Sequence, residues 1–146
     1  MNGILRKIDK KNIFILADDS GLECEDLEGA PGVYSARFAG ENATDAQNNQ
    51  KLIEKLRVIT HLTRAARYVC ALVVITPDGK QHEIEETCEG LITFEPKGKN
   101  GFGYDPYFYL PEYNQTMAEL DPQEKNKVSH RGKALKKLLK MLGEYR

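Results

Sequence analysis

The alternation of apolar and polar positions divides the chain into strands and helices before any other property is weighed. Ile13 to Ala17 is an unbroken apolar run, the pattern of a strand covered on both faces, and it gives way to Asp18, Asp19, Ser20 and Gly21. Tyr68 to Ile75 is almost wholly apolar and β-prone, which predicts a second buried strand. Pro77-Asp78-Gly79-Lys80 supplies a turn, and Gln81 to Phe94 returns as an antiparallel partner, with Gly90 read as a bulge. Tyr107 to Leu110 is a short strand stopped by Pro111. Helices are marked by their starts. Thr44-Asp45-Ala46-Gln47 is a capping box, and Asn49, Leu52, Ile53 and Leu56 follow on one face. Asp121-Pro122-Gln123-Glu124 is another start, with Asp as the cap and Pro at the first helical position. From Ser129 to Gly143, Ala134, Leu135, Leu138, Leu139 and Leu142 form a stripe, with Lys133, Lys136, Lys137 and Lys140 on the other side. Gly29 to Gly40 is a punctuated loop with a helical turn near Tyr34 to Arg37. Met1 to Lys11 is basic without a clear period and reads as the remnant of a helix leading into the first strand.

Composition adds mainly exclusions. The 146 residues make one domain, 1–146, long enough to bury a core. Apolar residues are 40% and charged residues 29%, an ordinary globular balance. A net charge of −1 gives no electrostatic case for nucleic acid or a membrane surface. No apolar run has the roughly 18 residues of a spanning helix, and no signal-peptide pattern opens the chain. Cys24, Cys70 and Cys88 are odd in number and widely spaced, which fits reduced thiols in a cytoplasmic protein and no zinc site.

Three stretches carry candidate chemistry. Asp18 and Asp19 at a strand end repel each other and resist desolvation, so a cation beside them is expected. Magnesium is the natural one, since it takes carboxylates together with substrate phosphates. The alternative is a plain turn, because Asp, Ser and Gly populate turns freely. Gly98 to Pro106 holds three glycines in six residues, with Phe102 as a flat face for a base. There Asp105, before a proline, is expected in extended backbone, and the loop reads equally as a core plug. Lys125, His130 and Arg131 come last. The two cations suit phosphate and carbonyl oxygens, whereas His130 reads equally as a satisfied surface residue. No Ser or Cys motif accompanies His130 to make it a nucleophile's base.

Ala17 to Leu22 followed by Gly29-Ala30-Pro31-Gly32-Val33-Tyr34-Ser35-Ala36-Arg37 closely resembles the signature of the inosine/xanthosine triphosphate pyrophosphatases. Gly101 to Pro106 is similar to that family's base-binding loop, and Ser129-His130-Arg131-Gly132-Lys133-Ala134-Leu135 to its C-terminal signature. The resemblance covers about Ile13 to Leu142. It implies an α/β fold with a mixed sheet, flanking helices and a nucleotide cleft, usually as a homodimer. It also implies magnesium-dependent hydrolysis of ITP, dITP or XTP to the monophosphate and pyrophosphate. Carried over by position, Asp19 is the catalytic and metal-associated carboxylate, Asp18 a second metal carboxylate, and Ser20 a substrate contact. Phe102, Gly103, Tyr104 and Asp105 surround the base, and Lys125, His130 and Arg131 complete the pocket. The family's Thr-x-Asn-x-x-Lys phosphate loop has no counterpart here, so an N-terminally incomplete fold is expected. Two other readings compete: a binding protein that kept the base pocket without hydrolysis, and a related enzyme for modified pyrimidines. The Phe102 loop and Ser129-His130-Arg131 weigh against the latter.

Overall fold

Five apolar positions on every second residue of one strand set the architecture. The structure, a computed structural model, describes residues 6–7 and 15–144. Its six strands are β1 (Arg6–Lys7), β2 (Ile15–Cys24), β3 (Ala65–Ile75), β4 (Gln81–Ile92), β5 (Phe108–Leu110) and β6 (Gln115–Thr116). They form one sheet in chain order. In β3, Ala66, Tyr68, Cys70, Leu72 and Val74 are buried while their neighbours alternate to the other face. Tyr68 to Ile75 is therefore covered chiefly on one side.

Two hydrophobic clusters share that covered face. One gathers Leu22, Cys24, Tyr68 and Phe108 under helix α1 (Asp45–Arg57) and its Leu52, Ile53 and Leu56. The other packs Cys70, Leu72 and Val74 against Ala134 and Leu138 of helix α3 (His130–Glu144). The α3 stripe is narrower than its leucines imply, since Leu135 and Leu139 are 44% and 69% exposed. A short helix, α2 (Pro122–Val128), starts where expected, with the Asp121 side chain accepting from the Glu124 amide. The capping box at Thr44 is complete, and the helical turn in the Gly29–Gly40 loop is a 3-10 helix over Gly32–Arg37.

Four sequence expectations change. The first strand does not end at Ala17. It pairs with β3 without a break from Ile15 opposite Ile75 to Cys24 opposite Ala66, so Asp18, Asp19 and Ser20 lie in mid-strand. The long β3 ladder overrides the turn tendency of those residues. A mixed sheet was expected, yet every strand pair among the described residues is antiparallel, and a tight turn joins β3 to β4. Arg6 and Lys7 are strand rather than helix, while the rest of Met1–Lys11, together with Ile13 and Phe14, lies outside the described residues. Gly90 is no bulge, because β3 and β4 stay in register through Ala66 opposite Gly90. A Cβ there would lie 2.5 Å from the Tyr109 carbonyl oxygen and 2.7 Å from the Phe108 ring. Glycine serves close approach, not a register shift.

Gly90→Ala is expected to destabilise the chain by about 1–3 kcal/mol through overpacking against Phe108. Urea unfolding checks this, and an unchanged midpoint would mean that the β5 segment yields freely.

Candidate active site

Along β2 the apolar face is interrupted once. Leu16 belongs to the α3 cluster and Leu22 and Cys24 to the α1 cluster, while Asp18 and Ser20 stand between them. A cleft of about 560 Å³ opens at this interruption. The cleft brings together all ten residues singled out in the sequence: Asp18, Asp19, Ser20, Phe102, Gly103, Tyr104, Asp105, Lys125, His130 and Arg131. Neither Asp18 nor Asp19 has an ion-pair partner among the described residues. Strand alternation sends Asp18 to the side of Ser20 and Asp19 to the other side. They do not face each other as a closed pair, and no cluster of three metal-binding side chains occurs among the described residues. The carboxylates fit an ion held by one or two side chains and completed by ligand phosphates, the usual arrangement for magnesium.

Asp105 is not in extended backbone. It opens a 3-10 helix over Asp105–Tyr107 and is 4% exposed. Its Oδ1 accepts from the Tyr68 hydroxyl at 2.8 Å. Its Oδ2 accepts from Lys125 Nζ at 2.7 Å and from the Phe102 amide at 3.1 Å. Three donors on a buried carboxylate outweigh the proline rule. The glycines of this loop are explained from within. Gly101 has a positive φ of 78°, and a Cβ would strike the Asp105 carboxylate. A Cβ at Gly98 would strike the backbone of Ala118. Tyr104 donates its hydroxyl to the Ser35 carbonyl at 2.6 Å and packs in the core. Phe102 is 62% exposed, with Lys125 Nζ 4.5 Å and Arg131 Cζ 5.8 Å from its ring centroid.

His130 is no surface residue. It is 9% exposed and its ring stacks on Tyr68 at 4.6 Å. Nε2 shares a 2.7 Å hydrogen bond with Ser20 Oγ, the hydroxyl neighbour that local sequence did not supply. Nδ1 is buried without a partner, so no carboxylate orients the ring and the pair is not a nucleophilic triad. Burial, then Arg131, Lys125 and Lys133, pushes the imidazole down to about 4, which keeps it neutral at pH 7. Donation from Nε2 to Ser20 leaves Nδ1 a bare acceptor, a smaller cost than a buried unpaired N–H. Burial pushes all three thiols up, Cys24 to about 12, so none is a thiolate nucleophile.

Sequence reading missed four contributors. Asp45 accepts from the Gly103 amide at 2.9 Å, and Asn49 one turn later donates to the Gly103 carbonyl at 3.0 Å. Asn48 donates to the Ala36 carbonyl at 3.1 Å and accepts from the Ala39 amide at 2.8 Å. The signal was present, since two asparagines on an apolar helix face need a reason. Tyr68 was lost inside an apolar run.

The depressed His130 has a consequence for stability. An unfolded imidazole titrates near 6.5 and binds protons more readily than the folded one at about 4. Its contribution is complete above the unfolded value and is lost as pH falls from about 6.5 toward 4, by about 3 kcal/mol at most. Urea unfolding of wild type and His130→Gln at pH 7 and pH 5 checks this. Wild type is expected to lose more stability than the variant, and equal losses would contradict it.

The family model for the Ham1 family matches residues 4–141. The dITP/XTP pyrophosphatase of Desulforamulus reducens is 57% identical over 127 residues, which cover 87% of this chain and 63% of that protein. The enzyme of the same name from Exiguobacterium sibiricum is 58% identical over 124 residues, covering 85% and 63%. The chain thus spans under two thirds of the length of these relatives. A HAM1 protein structure from Coxiella burnetii matches with a TM-score of 0.85 and 48% identity, over 90% of this chain and 68% of that one. Sequence, fold and the convergence of the three motifs on one cleft agree that the chain belongs to the Ham1 family.

Proposed function

We propose that this chain carries the base-recognition and carboxylate part of a hydrolase that converts non-canonical purine nucleoside triphosphates to the monophosphate and pyrophosphate. The observation that carries this reading is the meeting of Asp18, Asp19 and Ser20 with Phe102 and with Arg131 in one cleft. Relatives that bear the name dITP/XTP pyrophosphatase support the substrate class. In this reading the purine stacks on Phe102 and Arg131 donates to the six-oxygen of hypoxanthine or xanthine. Adenine presents an amino donor there instead, and the guanidinium rejects it. The neutral His130 holds the Ser20 hydroxyl ready to donate to a phosphate oxygen. Asp19 accepts the proton of the water that attacks the phosphorus bonded to the nucleoside, and pyrophosphate leaves. Magnesium, held by Asp19 or Asp18 from its own side of β2 and completed by phosphate oxygens, would neutralise phosphate charge. Lys125 serves this reading less as a phosphate ligand than as the partner of Asp105. The three reduced cysteines favour a cytoplasmic setting, and a homodimer follows the family resemblance.

A second reading, nucleotide binding without hydrolysis, is favoured by the placement of Asp18 and Asp19 on opposite sides of β2. Release of pyrophosphate from ITP with magnesium separates the two. Asp19→Asn is expected to lower kcat at least about 100-fold while the melting temperature stays equal or rises, because Asn keeps an oxygen to accept from the Ser20 amide at 3.0 Å and removes a charge that has no ion-pair partner among the described residues. A less stable variant with full activity would make Asp19 a purely structural residue. Arg131→Ala is expected to remove most of the preference for ITP over ATP, read as the ratio of kcat/KM values, out of a wild-type ratio of about 10⁴. An unchanged ratio would move base reading away from Arg131.

A further inference from the structure

Tyr68 lies on β3, far in sequence from every motif, yet it touches two of them. Its hydroxyl donates to Asp105 Oδ1 at 2.8 Å, and its ring stacks on His130 at 4.6 Å with planes 14° apart. Phe108 packs on the ring at 4.5 Å, so the tyrosine itself is fixed. Asp105 commits three of the roughly four acceptor sites of its carboxylate to the protein itself. One oxygen is held by Tyr68, and the other by Lys125 and the Phe102 amide. A buried carboxylate with three donors is a fastening, and here it fastens the peptide that presents Phe102.

We infer that Tyr68 is a positioning residue for base recognition: its hydroxyl fixes Asp105 and through it the Phe102 loop, while its ring sets the plane of His130. Asp105 then acts through the loop and Lys125, not by reading the base itself. Burial and the neighbouring Asp105 raise the phenol well above its ordinary value, so it remains a donor throughout the physiological range. This rests on the proposed function only in naming the base as the ligand.

Tyr68→Phe keeps both ring contacts and removes only the hydroxyl, and two readouts follow. Hydrogen exchange of the Phe102 amide is expected to accelerate about tenfold, the loss of one hydrogen bond to a charged group. The ratio of dissociation constants for adenosine and inosine monophosphate, read by calorimetry, is expected to fall about tenfold as the loop loosens. Unchanged exchange, or faster exchange with an unchanged ratio, overturns the inference. A wild-type chain with no preference between the two monophosphates overturns the proposed function instead, and the exchange readout still judges the role of Tyr68. Should Tyr68→Phe fail to fold, wild type carrying 3-fluorotyrosine replaces it. The more acidic phenol strengthens the bond, so Phe102 exchange is expected to slow, and no change overturns the inference.

Discussion

The buried carboxylate of Asp105 is the constraint on which the rest of the site depends. A charge removed from water must be met by donors at close range. Here the donors come from three places: Tyr68 on β3, Lys125 on α2, and the amide of Phe102 in the loop itself. Satisfying one side chain therefore joins the sheet, a helix and the loop. The fastening also dictates local sequence. Gly101 has no room for a Cβ beside that carboxylate. One residue beyond Phe102, Asp45 and Asn49 grip both backbone groups of Gly103 from α1. The exposed Phe102 ring is thus held between two fixed points rather than at the tip of a free loop.

A second constraint decides where the cleft lies. β2 runs beneath both hydrophobic clusters, and a continuous apolar face would have closed the gap between them. Asp18 and Ser20 interrupt that face while the backbone ladder with β3 continues unbroken. Side-chain polarity and backbone pairing are separable in a sheet, since the ladder does not use side chains. The strand can therefore carry polar groups in its middle without losing its place. His130, at the first turn of α3, reaches Ser20 across this gap and stays neutral because it is buried and because Arg131, Lys125 and Lys133 lie close to it.

Much of this was legible in the sequence. The helix starts at Thr44 and Asp121 were readable because capping is local chemistry, and the structure shows both caps. The three motifs were readable as units, and all ten of their singled-out residues reach one cleft. What was not legible was long-range. Asp18 to Ser20 look like a turn until the full length of β3 is laid beside them. Gly90 looks like a bulge until Phe108 is packed over it. Asp105 follows the proline rule until Tyr68 and Lys125, both distant in sequence, join the Phe102 amide in holding its carboxylate in a 3-10 turn. Tyr68 is one aromatic among apolar neighbours until its hydroxyl is seen to have a single use. In each case the deciding partner is many residues away, and no local pattern carries it.

In the proposed function one cleft reads the base at Phe102 and Arg131 and presents the phosphates to Asp18, Asp19 and Ser20. A crystal structure of the chain with ITP and magnesium tests it most directly. The purine is expected against the Phe102 ring with its six-oxygen toward Arg131, and the phosphate chain is expected along β2 past Ser20. A base bound elsewhere, or phosphates pointing away from the two aspartates, would contradict it.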